Sequence, residues 1–123
     1  MPKVMIVDDD RTMISLLRIL LEMDGYQVVA VDQQDALLER IRKERPDVLL
    51  MDVFLTNMDG IELLAQIRAE GDLQSLRVIM TSGMDLSEKA SQVGADAFLL
   101  KPYTPEQLIA LIQEHAQPMA GDS

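Results

Sequence analysis

The chain has 123 residues, 48% of them hydrophobic, with 21 acidic against 11 basic side chains and a formal charge of −10. That length suits one domain with a sizeable core, and the acidity argues against nucleic acid or an anionic membrane surface as a direct partner, since both need a basic face. The sequence has no cysteine, which removes disulfides, thiol catalysis and Cys-ligated zinc and points to a reducing cytoplasm.

Short apolar runs alternate with helix-period segments along the whole chain. Met1 to Lys3 carry no signal-peptide pattern and lead directly into a first strand, Val4-Met5-Ile6-Val7. A helix is expected over about 11–23, with Met13, Leu16, Leu17, Leu20 and Leu21 as its apolar face and Gly25 as its stop. A strand from Tyr26 to Val31 follows, then a helix over about 34–44 built on Ala36, Leu37, Leu38 and Ile41 and closed by Pro46. The third strand, Val48 to Met51, leads to a helix over about 60–70 with Asp59 as its N-cap and Ile61, Leu64 and Ile67 on its apolar face. Val78 to Met80 is the fourth strand, a short helix over about 86–93 ends at Gly94, and Ala97 to Leu100 is the fifth strand. The last helix, about 105–116, opens with Thr104-Pro105 and uses Leu108, Ile109, Leu111 and Ile112. No run approaches the ~18 apolar residues of a bilayer span.

Strands that are apolar on consecutive residues are those covered on both faces. Five βα repeats of this kind read as one doubly wound α/β domain with a five-stranded parallel sheet. The domain is placed at 1–117, with 118–123 as a tail or the start of a linker.

Ligands of an open α/β sheet gather at the carboxyl ends of its strands. Strand one ends in Asp8-Asp9-Asp10, strand three in Asp52, strand four in Thr81-Ser82-Gly83 and strand five in Lys101-Pro102, while Asp32 at the end of strand two is less telling. Taken singly, such acids serve as N-caps and such a lysine is a solvated loop residue. Together they bring several carboxylates, a hydroxyl and an ammonium to one edge. Clustered carboxylates raise one another's pKa, and a hard divalent cation relieves that repulsion. Mg²⁺, or Mn²⁺ in its place, takes oxygen ligands of this kind.

The ordered set resembles the response-regulator receiver domain, the phosphoacceptor half of two-component signalling. Val7-Asp8-Asp9 is similar to the family's acidic pair, Asp52 with the loop through Asp59-Gly60 to its phosphoacceptor segment, Ser82-Gly83 to its hydroxyl and small residue, and Lys101-Pro102-Tyr103 to its lysine with a cis proline. The resemblance covers residues 3–117 and implies a flavodoxin-like (βα)5 fold with strand order 2-1-3-4-5.

It also implies a role for each residue. Asp52 takes a phosphoryl group from a phosphohistidine on a sensor histidine kinase or a histidine phosphotransfer protein. Asp8, Asp9, Asp52 and the backbone carbonyl of Phe54 hold Mg²⁺. Lys101, Ser82 and the backbone N–H of Gly83 meet the phosphoryl oxygens, and positioning with charge neutralisation supplies most of the acceleration. Ser82 and Phe98 are the switch positions, although Phe98 equally suits plain core. The implied module is a cytoplasmic signalling domain that promotes its own phosphorylation and dephosphorylation. It offers the helix 4–strand 5–helix 5 face to a downstream protein, and the resemblance admits a phosphorylation-linked dimer.

Several details are particular to this sequence. Thr56 stands where the family has proline, and the expectation is a looser loop with no contact to a ligand. Phe54 and Met84 flank the path of an attacking water and cannot orient it, which predicts slow hydrolysis of phospho-Asp52. Ile19 points away from the apolar side of the first helix, Ser87, Glu88, Lys89, Ser91 and Gln92 make the fourth helix polar, and His115 is a helix C-terminal residue. Two other readings fit parts of the pattern. Asp8, Asp10 and Thr12 match the DxDxT signature of haloacid-dehalogenase-like phosphatases, but no second acidic pair follows Lys101 and Asp52 would be idle. A receiver-like adaptor that acts by binding alone is the other. A nucleotide-binding protein is disfavoured, because no glycine-rich loop follows the first strand.

Overall fold

The computed structural model describes residues 2–31 and 36–116. The expectations that fall on Asp32, on the start of the second helix before residue 36 and on the 118–123 tail lie outside them. In chain order the elements are β1 Lys3–Val7, α1 Arg11–Met23, β2 Gln27–Val31, α2 Leu37–Glu44, β3 Val48–Asp52, α3 Gly60–Ala69, a 3₁₀ turn Gly71–Leu73, β4 Arg77–Ser82, α4 Ser87–Val93, β5 Ala97–Leu100 and α5 Pro105–His115. The five strands form one parallel sheet in the order β2-β1-β3-β4-β5. Among the described residues no helix is long and apolar enough to cross a membrane.

The continuous apolar strands are explained by alternation between two layers. Val4, Ile6, Val48, Leu50 and Ile79 face a core completed by Leu17 and Leu21 of α1 and Leu108 and Ile112 of α5. Their neighbours Met5, Val7, Leu49, Met51, Val78 and Met80 face the other layer, built from α2, α3 and α4. Truncating one of these fully buried chains to alanine costs about 2–5 kcal/mol, so β1, β3 and β4 form the rigid centre on which the strand ends are carried.

Helix boundaries follow local chemistry. Asp10 caps α1 by accepting from the Met13 N–H at 3.1 Å, and Asp59 caps α3 by accepting from the Ile61 N–H at 2.8 Å. Thr104 and Gln107 form a reciprocal capping box at α5, with Pro105 in the first turn. Two expectations are corrected. α2 ends at Glu44 because Arg45 adopts a left-handed conformation (φ 50°), its N–H bonding the Ile41 carbonyl at 2.8 Å, before Pro46 is reached. The buried edge of α1 is Leu17 and Leu21, with Met13 and Ile14 packed beside them, whereas Leu16 is exposed and Leu20 only half-buried. The 3₁₀ turn after α3 was not anticipated.

Arg68 at the end of α3 ties down the edge of the sheet opposite the carboxyl ends. Its guanidinium donates to the carbonyls of Gly94, Leu73, Gln74 and Leu76 and pairs with Asp96 at 3.0 Å. Gly94, with φ 109°, ends α4 there, while the first turn of α4 has no side-chain cap at Leu86.

Candidate functional site

The pairing of β1, β3 and β4 sets Val7 beside Met51 and Asp52 beside Thr81. The residues that follow are therefore delivered to one edge. Lys101 completes it after β5, its N–H bonding the Ser82 carbonyl at 2.8 Å, and its peptide bond to Pro102 is cis.

Lys101 Nζ lies 3.0 Å from Asp52 Oδ2 and 3.6 Å from Asp8 Oδ2. Asp8 is almost fully buried, and Asp52 half-buried. Burial raises the Asp8 carboxyl pKa above its ordinary 3.8; the Asp10 N–H (2.9 Å) and the Lys101 charge oppose the rise, and the charges of Asp52 and Asp10 add to it. Burial also pulls the Lys101 ammonium down, but its hydrogen bond to Asp52 and the charges of Asp8 and Asp52 outweigh this, and the net shift is upward. One cation thus stands between two carboxylates, and burial disfavours the charged form of one of them, Asp8.

Ser82 is fully buried, and its hydroxyl accepts from the Met84 N–H at 3.1 Å. Gly83 is exposed and Phe98 half-buried against the α2–α3–α4 core, opposite Met80. Phe54 and Met84 are 57% and 60% exposed, so two apolar side chains stand in solvent beside the site. Asp10 is the cap of α1, as the sequence suggests. Ile19 and the polar residues of α4 are exposed. The His115 Nδ1 hydrogen donates to the Leu111 carbonyl at 2.9 Å, a local contact within α5.

Thr56 requires a correction. Its N–H and its hydroxyl both donate to Asp9 Oδ2 at 2.6 Å, so it touches an expected cation ligand directly. Proline has neither donor; threonine has both. Asp9 is accordingly engaged by the β3–α3 loop, while Asp8 and Asp52 share Lys101. Among the described residues no group of three or more His, Cys, Asp or Glu side chains is gathered to hold a metal ion. The donors nonetheless fit one: they are hard carboxylate oxygens, and a nearby cation would relieve the strained ionisation of Asp8.

Two residues named only as parts of motifs, with no role of their own, also border the site. Gly60 opens α3 against the backbone of β3, where an added Cβ would meet the Asp52 carbonyl oxygen and come within 2.9 Å of Val53 Cα. Its place in the loop after Asp52 was the available signal. Tyr103 lies near Lys101, and burial raises its phenol pKa, with Lys101 opposing and Asp8, Asp52 and Asp10 adding to the rise. A cleft of about 530 Å³ adjoins the site, lined by Asp8, Asp9, Thr56 and α1 residues. A larger one, about 590 Å³, lies at the other end of the sheet among Arg42, Pro46 and Leu73, away from this chemistry.

The family model for the response regulator receiver domain matches residues 4–113. The chain belongs to that family. The response regulator MprA of Mycobacterium leprae is 34% identical over 113 residues, covering 90% of this chain and 49% of the relative. Two solved structures share the fold: the chemotaxis response regulator CheY4 of Vibrio cholerae, with a TM-score of 0.84, 28% identity and coverage of 93% and 98% of the two chains, and the BeF3-activated N-terminal receiver domain of Klebsiella pneumoniae RstA, with 0.82, 26%, 94% and 99%. The expected flavodoxin-like fold and strand order are therefore shown, and the domain is a signalling module of two-component type. Receiver domains bind Mg²⁺ at an acidic site and interact with histidine kinases and downstream effectors. Membership also sets aside the phosphatase reading, in which Asp10, here a helix cap, would be catalytic. The chain spans about half the length of the curated relatives it matches.

Proposed function

We propose that this receiver accepts a phosphoryl group on Asp52. The observation that carries the reading is the Lys101–Asp52 contact at 3.0 Å beside the buried Asp8, at the carboxyl edge of a parallel sheet. A carboxylate oxygen of Asp52 attacks the phosphorus of a phosphohistidine on a sensor kinase or phosphotransfer protein. A P–O bond forms as the P–N bond breaks, and the departing imidazole takes up a proton. Lys101 meets the negative charge on the transferred oxygens, and Ser82 and the Gly83 N–H donate to the others. Ser82 accepts from the Met84 N–H through an oxygen lone pair and keeps its O–H to donate, so the hydroxyl that meets the phosphoryl group is also tied to the β4–α4 loop. Asp8, Asp9, Asp52 and the Phe54 carbonyl would hold Mg²⁺, which supplies neutralising charge for the phosphoryl oxygens. The ion then offsets the repulsion between Asp8 and Asp52.

The same residues serve self-catalysed phosphorylation from small phosphodonors and self-catalysed hydrolysis. Ser82 lies on β4 and Phe98 on the neighbouring edge strand β5, and the two are the route by which the site reaches the α4–β5–α5 face, where a downstream protein or a second receiver docks. The domain occupies residues 1–117, with 118–123 as tail or linker, and family membership supports a cytoplasmic setting.

The test is to incubate the protein with Mg²⁺ and a small acyl- or amido-phosphate and weigh it intact. One phosphoryl adduct is expected in wild type and none in Asp52→Asn. Steady turnover of phosphate esters would overturn the reading in favour of a phosphatase. Absence of an adduct despite Mg²⁺ binding would overturn it in favour of an adaptor.

A further inference from the structure

The β1–α1 and β3–α3 loops meet where Asp9 Oδ2 accepts from the Thr56 N–H and from the Thr56 hydroxyl, each at 2.6 Å and across 47 residues of sequence. Hydrogen bonds to an ionised acceptor are roughly twice as strong as neutral ones. A carboxylate oxygen offers about two lone-pair positions, so these donors fill those of Oδ2. The partner oxygens of the site are arranged differently. Asp8 and Asp52 both face Lys101, at 3.6 and 3.0 Å, and the three acids do not converge into a single ligand group. Asp9 is also an exposed side chain, so directed polar contacts, the Thr56 pair among them, orient it more than packing does.

We propose that Thr56 is a latch on Asp9. By filling Oδ2 it withholds that oxygen from the cation, and Mg²⁺ binding through Oδ2 has to break the Thr56 hydrogen bonds, releasing the loop after Asp52 as the site fills. The inference rests on the reading of Asp8, Asp9 and Asp52 as a cation site. Thr56 is a positioning residue, since it acts through Asp9. The latch makes the free protein bind Mg²⁺ more weakly than its carboxylates alone would allow, and it makes the conformation of residues 55–58 depend on metal occupancy. A residue without a side-chain donor at this position holds Asp9 by its N–H alone, and proline holds it by neither.

The experiment is Mg²⁺ titration by calorimetry on the intact chain, with Thr56→Val, Thr56→Pro and Thr56→Ser. Valine keeps the shape and the N–H and loses the hydroxyl; its Mg²⁺ dissociation constant should fall about threefold. Proline loses both donors and should tighten binding roughly tenfold, about threefold for each of the two hydrogen bonds lost. Serine keeps both donors and should match wild type. In wild type, the Thr56 amide proton resonance should move upfield on Mg²⁺ addition, with the midpoint seen by calorimetry. If Thr56→Pro fails to fold, Thr56→Val and the amide resonance decide the matter. Unchanged or weaker Mg²⁺ binding in the valine and proline variants would overturn the latch and leave the cation site standing, as would a Thr56 amide indifferent to Mg²⁺. No Mg²⁺ binding by any form would overturn the cation site and the latch with it.

Discussion

Gly60 sits directly against the main chain of Asp52: a methyl group there would collide with the Asp52 carbonyl oxygen and reach Val53 Cα at 2.9 Å. The Gly60 N–H also bonds the Val53 carbonyl at 2.7 Å, so the first residue of α3 is fastened to the end of β3. The backbone that presents Asp52 is thereby fixed from below by a residue that can have no side chain. Gly60→Ala is expected to destabilise the fold by about 1–3 kcal/mol, the cost of overpacking a site that cannot yield. Denaturant unfolding measures this, and an unchanged midpoint would show that β3 and α3 can move apart freely.

Asp8 gives a pH dependence whose sign is fixed. Its folded pKa lies above the ordinary 3.8 because of burial, so the unfolded chain releases this proton at lower pH than the folded one. The contribution of the group to stability is therefore lost as pH rises from about 3.8 through the raised folded value, and the loss persists at neutrality. Asp8→Asn should melt higher than wild type at pH 7 without metal, and the gain should vanish near pH 3. Mg²⁺ should raise the melting temperature of wild type by linkage and that of Asp8→Asn by less. A variant less stable than wild type at pH 7 would refute the assignment.

Hydrolysis of phospho-Asp52 needs a water held in line, and the neighbouring side chains Phe54 and Met84 are both apolar and exposed. Phe54→Asn supplies a hydrogen-bonding group to that water. The expected result is loss of the phosphoryl adduct roughly tenfold faster, about 1.4 kcal/mol from the barrier, followed by intact mass over time. Decay at the wild-type rate would mean that Phe54 does not border the water's path.

Arg68 is the fastening of the opposite end. Its side chain is 18% exposed and serves four carbonyls as well as Asp96. Arg68→Ala abandons those acceptors and is expected to cost about 2–4 kcal/mol, with phosphorylation of Asp52 by a small donor retained. A stability change within 0.5 kcal/mol, the ordinary range of a surface substitution, would show that water replaces the guanidinium fully.

The architecture and the gathering of the strand-end residues at one edge were legible because both depend on short-range pattern. Two-layer alternation writes continuous apolar strands, and the residues after each strand must share an edge. What was not legible depends on distance in the chain or on a few degrees around a helix. Leu16 and Leu17 are adjacent and equally apolar, yet only the second meets the sheet. Thr56 was read as an absent proline, since nothing local tells that it reaches a carboxylate 47 residues earlier. Arg68 reads as a solvated helix residue until the turns it serves are folded around it.

The uneven capping of α4 has a mechanical result. Its C-cap, Gly94, is bound by Arg68 at two nitrogens, whereas at its start, nearest Ser82 and Met84, Leu86 supplies no side-chain cap and the Asp85 carboxylate alone meets the Ser87 N–H, at 3.1 Å. The helix is fastened more firmly at its far end than at the end beside Ser82, the proposed phosphoryl position. A displacement of under an ångström at Ser82 would be delivered to the outer surface as a swing, largest where α4 begins. Amide exchange should reflect this gradient, fastest at Ser87–Lys89 and slowest towards Gly94, and a uniform rate along the helix would contradict it.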